Sequence, residues 1–415
     1  MTNKPQNNIR TLIEKGVRVA APASLEIDDD VDVERISGED VTIHSGCRLF
    51  GGKTLVCRGA VLGQEAPVTL KNCYVGPDVR LKGGYFENAV FLEGVEAGSG
   101  AHVRAGTILE EQASIAHTVG LKQTILFPFV TLGSLINFCD CLMAGGSSRS
   151  NHSEVGSSYI HFNYTPNQDK ATASLIGDVP NGVMLNQNPI FLGGQGGLVG
   201  PCRIAYGTVV AAGSIYRKDQ LNPDRLVFEG GGRGGSVPYT KGIYRSVKRQ
   251  TISNFIYMAN LVALLAWYTH IRSLFIGDRF PTVLHEGLID TLTSALQERI
   301  KRFRAFCEKM ADSKKRYQEQ MGETASPQLI TQKDELIRNK DQVVIVLENA
   351  ISHIDRYCHS GFHAMIHEGI DRCGCRYLDV IKGLRKDEAS LGRNWLQQIV
   401  DDVTKRLMDL FPSIR

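Results

Sequence analysis

Three things are scarce in this 415-residue chain: a surplus of charge of one sign, cysteines at regular spacings, and an apolar run long enough for a bilayer. Lys and Arg number 47 against 44 Asp and Glu, and a net charge of +3 is too small to argue for a dedicated nucleic-acid binder, so no nucleic acid is expected, while acidic small molecules stay open as partners. The ten cysteines are scattered, and the start, Met1 to Arg10, is polar without the apolar stretch of a signal peptide. Reduced thiols in a cytoplasmic protein are therefore expected, without disulfides. The longest apolar run, Phe255 to Tyr268, is interrupted by Asn260 and followed at once by His270 and Arg272. It falls short of a membrane span and reads as a buried helix, with contact at a membrane surface as the alternative. Hydrophobic residues at 42% and charged residues at 22% suit a folded chain with about two domains.

What is present is a period. From Val103 an aliphatic or aromatic residue returns every sixth position, at Leu109, Ile115, Leu121 and Phe127. Four residues after each stands a small or β-branched partner: Thr107, Ala113, Val119, Ile125 and Thr131. The pattern recurs at Leu192, Leu198, Ile204 and Val210, with Gly196, Cys202, Thr208 and Ser214 as partners, and fainter traces sit at Val19, Leu25, Val31, Val41 and Cys47. A period of six fits neither an α-helix nor a lone strand. It fits a triangular prism whose flat faces each take six residues, so a left-handed parallel β-helix is expected over residues 17–235, after a lead-in of residues 1–16. Glycine, 42 in all and concentrated before residue 245, supplies the turns.

After Glu229-Gly230-Gly231-Gly232-Arg233-Gly234-Gly235-Ser236 glycine thins out and Leu, Ile, Lys, Arg and Glu take helical spacings. A linker at residues 236–245 and an all-α helical bundle at 246–415 are expected, with helices at Ser246–Phe275, Pro281–Met321, Thr331–Glu368 and Leu378–Leu410, and with Gly322 and Ser326-Pro327 as breakers. Ile300, Phe303, Cys307 and Met310 share one stripe, as a bundle core needs. The basic residues between Lys301 and Arg316 read as a solvated face. The run Gly230–Gly235 with Arg233 matches no Walker pattern and reads as linker rather than phosphate site.

Ser157-Ser158-Tyr159-Ile160-His161-Phe162-Asn163-Tyr164 through Lys170, then Leu175-Ile176-Gly177-Asp178, resembles the acetyltransferase domain of the bifunctional enzyme that makes UDP-N-acetylglucosamine. Leu198-Val199-Gly200-Pro201 and Val210-Ala211-Ala212-Gly213-Ser214 resemble its final coils. The whole chain is also similar to bacterial proteins labelled UDP-N-acetylglucosamine pyrophosphorylase-related. The resemblance implies acyl-coenzyme A as donor, a nucleotide sugar or sugar phosphate as acceptor, and a homotrimer with active sites between neighbouring prisms. It puts Asn163, Tyr164 and Lys170 on the substrate, and Gly193, Gly194, Gln195 and Ala212 near the pantetheine arm, although the same glycines also suit tight turning of the coil. Thr165-Pro166 replaces the family's Asp-Gly after the Asn-Tyr pair.

Acyl transfer needs a base, and a neutral imidazole suits it. Three histidines compete. His152 comes first, because Glu154 is placed to orient it; then His117, whose Ala-His setting resembles related acyltransferases and whose phase, two after Ile115, points it outward; then His161, beside Asn163. In the helical part Cys358, His359, His363, His367, Cys373 and Cys375 have metal-ligand spacing, without a carboxylate placed as in the helical protease motif. Two other functions stay open: a non-catalytic nucleotide-sugar binder or scaffold, and a sugar-1-phosphate nucleotidyltransferase. Against the last, repeats that begin near residue 19 leave no room for an α/β nucleotide-binding domain.

Overall fold

The structure, a computed structural model, describes residues 4–170, 172–229, 236 and 239–415. The expected linker run Gly230–Gly235, with Arg233, lies outside the described residues. Residues from Arg18 to Val227 wind into a parallel β-helix, the expected fold class. Its first face is an eleven-stranded parallel ladder running from Arg18–Val19 to Leu226–Val227. The second face includes Ala101–Val103, Ile160–Phe162 and Gly197–Val199; the third includes Tyr74–Val75, Ala89–Phe91, Thr107–Leu109 and Ser174–Ile176. Strands Gly120–Leu126 and Asn137–Met143 bend round the corner between second and third faces and join both.

The six-residue row is the prism interior. Val103, Leu109, Ile115 and Leu121 are all buried. After Leu121 the phase slips by one. Register pairs Leu109 with Leu126 and Ile115 with Leu132, so the inner row continues as Leu126, Leu132, Phe138 and Met143 rather than through Phe127 and Thr131. The bend at Gln123, in left-handed backbone, uses one residue fewer than the corresponding bend one coil earlier. Phe127, although buried, stacks in register with Glu110 at a corner, and half-buried Thr131 faces outward opposite Ser114.

One full coil takes eighteen residues from Glu96 to Ser114 and again from Phe191 to Val209, but thirty-seven from Glu154 to Phe191. The excess is spent in excursions at the corners. Residues 163–173 leave the second-to-third corner, and residues 177–190, with the short helix Val179–Gly182, leave the third-to-first. One coil earlier the third-to-first corner carries a hairpin, Gly146–Ser148 against Asn151–His152.

A helix, α1 (Lys4–Glu14), precedes the coils, and α2 (Val179–Gly182) belongs to the excursion just described. The helical layer comprises α3 (Lys248–His270), α4 (Thr282–Glu308), α5 (Met310–Met321), α6 (Pro327–Ser352), α7 (Ser360–Cys373), α8 (Tyr377–Lys382) and α9 (Lys386–Asp409). The expected breakers hold: Ser326 caps α6 by accepting a hydrogen bond from the Leu329 amide. Three of the four expected helices are interrupted once more, at Lys309, at His353–His359 and at Gly383–Arg385. By length and composition the segment Lys248–Phe275 could cross a membrane, yet 89% of its apolar window is buried in the fold. Asn260, which breaks that run, accepts the Val179 amide at 2.9 Å and so stitches α3 to α2.

The helices cover the third face. α4 packs on Tyr74–Val75, Ala89–Phe91 and Thr107–Leu109, and α3 on Ser174–Ile176. Gly287 on α4 makes this approach close enough, because a Cβ there would stand 2.3 Å from the Tyr74 ring. The outward row of the third face, Val90, Ile108 and Leu142, is accordingly apolar and fully buried. Prism and helices share one hydrophobic core.

Candidate functional site

Each sequence-predicted residue falls on a particular part of the prism, and the parts differ. The first-to-second corner is stacked by backbone: the amides of Thr118, Leu135, Ser158, Gln195 and Gly213 donate to the carbonyls of Ser99, His117, Ser134, Ser157 and Gly194, at 2.8–3.1 Å. His117, Gly194, Gln195 and, beside Gly213, Ala212 therefore stand on one edge. His117 is exposed, with Nδ1 3.4 Å from the Thr118 hydroxyl. The room left by the glycines is taken by neighbouring coils. A Cβ on Gly193 would lie 2.3 Å from the Ala212 amide nitrogen, and one on Gly194 2.7 Å from the Ser157 carbonyl oxygen.

His161 sits on the inner row of the second face, paired in register with Leu198. Both ring nitrogens are engaged. Nδ1 is 2.6 Å from the Cys139 carbonyl, which can only accept, so the proton is on Nδ1; Nε2, 2.8 Å from Ser174 Oγ, then accepts from that hydroxyl. Ser174 Oγ in turn accepts the Cys202 amide at 2.9 Å. Burial lowers the His161 pKa, against the Cys139 carbonyl and Asp140, which raise it. A neutral imidazole is thus built into the prism as a bridge between coils.

Asn163, Tyr164 and Lys170 lie on the excursion at the second-to-third corner, and the helical layer pins that loop. The Asn163 amide donates to Asp140, whose other oxygen is 3.4 Å from Arg299 Nη1 on α4. Arg299 Nη2 donates to the Lys170 carbonyl at 2.5 Å. Lys309 donates to the carbonyls of Asn167 and Gln168 at 2.6 and 2.9 Å, the Gly242 amide donates to the Asn167 side chain, and the Tyr244 hydroxyl donates to Asp169. The Tyr164 ring is left 59% exposed.

His152 closes the hairpin at the third-to-first corner. Its Nε2 is 3.7 Å from Glu154 Oε2, too far for a hydrogen bond, and its buried Nδ1 has no partner among the described residues. Ser153 locks the hairpin base, donating to the Ala144 carbonyl at 2.8 Å and accepting the Ile190 amide at 2.9 Å. His117, His152 and His161 are therefore not brought together within one chain.

In α7 the rings of His363 and His367 are 5.0 Å apart, and partial burial, His367 and His270 lower the pKa of His363. His359 Nδ1 accepts the Phe362 amide as the helix cap. Among the described residues no three His, Cys, Asp or Glu side chains are placed to hold a metal ion.

Sequence reasoning missed Arg299 and Arg272. Arg299 falls on the apolar stripe Leu288, Leu292, Leu296, Phe303 of α4, and a cation in such a stripe was the available signal. Of the basic residues expected on a solvated face between Lys301 and Arg316, Arg316 is exposed and pairs with Asp312, whereas Lys309 holds the loop.

No family model matches the chain. Among curated proteins it is similar to the bifunctional protein GlmU of Pelobacter propionicus, 26% identical over 211 residues, covering 51% of this chain and 40% of that protein. The GlmU of Kineococcus radiotolerans is 28% identical over 214 residues, covering 52% and 38%. That of Trichlorobacter lovleyi is 29% identical over 216 residues, covering 52% and 41%. The chain spans about two fifths of the length of these relatives.

Proposed function

We propose that the chain transfers an acyl group, of acetyl size, from coenzyme A to a nucleotide sugar or sugar phosphate, with His117 as the base and the first-to-second corner as the donor groove. The observation that carries this reading is that His117 alone of the three histidines is exposed, on the one edge that also bears Gly193, Gly194, Gln195 and Ala212. Four coil spacings separate His117 from Ala212, roughly 19 Å at about 4.8 Å each, a span an extended pantetheine arm covers. The flanks of this edge support a homotrimer. Phe191, Val209 and Leu226 form an exposed apolar ladder on the first face, Ile160 and Ile215 another on the second, and the third face is already covered by helices. Tyr164 and the Lys170 ammonium, which have no hydrogen-bond partner among the described residues, would then reach the acceptor from a neighbouring copy.

In the reaction His117 takes the proton from the acceptor amine as its nitrogen attacks the thioester carbonyl. The C–N bond forms, the C–S bond breaks, and the proton passes to the leaving thiolate. A second reading, a sugar-nucleotide binder without turnover, is favoured by one observation: the Asn163 amide is already spent on Asp140.

The test is release of free thiol from acetyl-coenzyme A by the full chain with UDP-glucosamine or glucosamine 1-phosphate. Turnover is expected to fall by about 10²–10⁴ in His117→Asn, with acceptor binding by calorimetry unchanged. Absence of thiol release from any short acyl-coenzyme A removes the enzyme reading, and acceptor heat without turnover supports the binder.

A further inference from the structure

A cavity of about 380 Å³ opens at the third-to-first corner, between the prism and the helical layer. The prism contributes Glu111 and Phe129, the hairpin tip contributes Arg149, and the helical layer contributes Arg272, Phe275 and Tyr377. Its volume far exceeds what a water needs and lies at the small end of ligand pockets.

Arg272 is 1% exposed, with its guanidinium carbon 3.7 Å from the centre of the Tyr377 ring and 4.7 Å from that of Phe280. Nη2 binds Glu111 Oε1. Nε and Nη1 of Arg272 and Oε2 of Glu111 are buried with no hydrogen-bond partner among the described residues. Two donors and one acceptor are thus left unpaired beside one cavity. Burying such groups with nothing ever meeting them is unfavourable, so the cavity favours a ligand that pairs them.

The charges decide what can meet them. Glu111 already neutralises Arg272. Glu110, hydrogen-bonded to Tyr268, has its carboxyl pushed up to about 8 by burial and by Glu111, so it is protonated near neutrality. A further anion at this depth would face Glu111 at close range. The deep end therefore suits a neutral group that both accepts, from Arg272, and donates, to Glu111: a hydroxyl pair or an amide. The mouth differs. Arg279 and Arg376 are compensated by Asp78, Glu93 and Asp379. Arg149 instead spends Nη1 on two carbonyls and the Thr131 hydroxyl, and Lys382 lies 5.8 Å over the Phe129 ring. Neither has a carboxylate partner among the described residues. Two uncompensated cations suit a dianion more than a single carboxylate.

We propose that this seam cavity binds a phosphate ester of a small polyhydroxylated molecule, its hydroxyls on Arg272 and Glu111 and its phosphate between Arg149 and Lys382. The site is separate from the edge bearing His117, and a negative thiol-release assay leaves it untouched.

Calorimetry of the full chain tests it, with glucose 1-phosphate, glucose and inorganic phosphate as probes. Glucose 1-phosphate is expected to bind at least about tenfold more tightly than either part alone, with affinity falling as salt rises. Arg149→Ser and Lys382→Gln, both at exposed side chains, should each weaken it about fivefold or more and flatten the salt dependence; Lys382→Gln should leave the melting temperature unmoved, whereas Arg149→Ser, which also removes the hydrogen bonds of the hairpin tip, should lower it slightly. Arg272→Lys keeps a cation against Glu111 but removes the planar donors, and should abolish the advantage of the sugar phosphate over inorganic phosphate. No heat with glucose 1-phosphate overturns the proposal. So does equal affinity for sugar phosphate and inorganic phosphate, or binding indifferent to the double variant Arg149→Ser with Lys382→Gln.

Discussion

Replacing Arg299 by Met should loosen the loop that carries Asn163, Tyr164 and Lys170. Arg299 is 3% exposed on α4, and its guanidinium serves two groups on the prism: Asp140 at 3.4 Å and the Lys170 carbonyl at 2.5 Å. Methionine fills similar space but leaves Asp140 buried with the Asn163 amide as its remaining side-chain partner. Stranding one partner of a buried pair costs about 3–5 kcal/mol, and the lost bond to the carbonyl adds roughly 1 kcal/mol. Against that, neither Nε nor Nη1 of Arg299 has a hydrogen-bond partner among the described residues, Nη1 meeting Asp140 as an ion pair only, so removing the guanidinium also relieves a desolvation cost. The expected loss is therefore near the lower bound, about 3 kcal/mol. Urea unfolding measures it, and hydrogen exchange of the peptide spanning residues 163–170 should quicken in the same variant. Adding Asp140→Asn removes the stranded charge, so the double variant should recover more than half of the loss. A single variant within about 1 kcal/mol of the parent, with unchanged exchange in the loop, would refute the pin.

Glu110 and Lys333 should leave opposite marks on stability against pH. With its carboxyl raised to about 8, Glu110 holds a proton in the folded chain that the unfolded chain has lost from about pH 4.5 upward, so stability falls as pH rises to about 8; Glu110→Gln should erase that slope in urea titrations. Lys333, buried against Ser313 and the Tyr317 ring, is lowered by burial to about 8, so stability rises between about pH 8 and 10.5, and Lys333→Met should remove the rise. Gly193→Ala would drive a Cβ into the backbone of Ala212 and should cost about 1–3 kcal/mol in the same assay; a neutral result would mean that the coils are not packed at that edge. Phe191→Glu with Val209→Glu should convert a trimer to monomers by light scattering, and a wild-type monomer at micromolar concentration would end the trimer reading. Of the ten cysteines, Cys358, Cys373 and Cys375 are exposed and should react fast with a thiol reagent at pH 8, whereas Cys57, Cys73 and Cys202, pushed up to about 12 by burial, should wait for unfolding.

The prism was legible because its rule is local: each face needs one inward aliphatic residue, and Val103, Leu109, Ile115 and Leu121 meet that need without reference to anything distant. The slip after Leu121 was not legible, since a bend one residue shorter leaves Phe127 looking like the next member of the row. The outward aim of His117 followed from phase. The inward position of His161 did not, because the hairpin at residues 146–152 separates it from the preceding row and the excursions after residue 162 separate it from Leu192 and Leu198. Nor could the sequence say which corner stays free. That depends on α3 and α4 docking onto the third face, and on Arg299 and Lys309 reaching loop atoms more than 100 residues away in the chain.

The outward rows of the prism bear on assembly. Along the third face, Val90, Ile108 and Leu142 are apolar because helices lie on them. On the first face the same outward register reads Arg80, Glu96, Ser114, Thr131 and Glu154, then turns to Phe191, Val209 and Leu226. A prism buried against a neighbour along its whole length would repay apolar residues along its whole length, at about 25 cal/mol for each Å² removed from water. Here that repayment is available only over the last three coils. On the proposed assembly, neighbouring copies therefore meet at the carboxyl-terminal end of the prism, beside Gln195 and Ala212, while His117 lies several coils away on an open stretch of the same edge. The donor would then be gripped where the prisms touch and would present its acyl end on the open stretch, where only the excursion carrying Tyr164 and Lys170 of a neighbouring copy has to reach, which leaves room there for an acceptor as large as a nucleotide sugar.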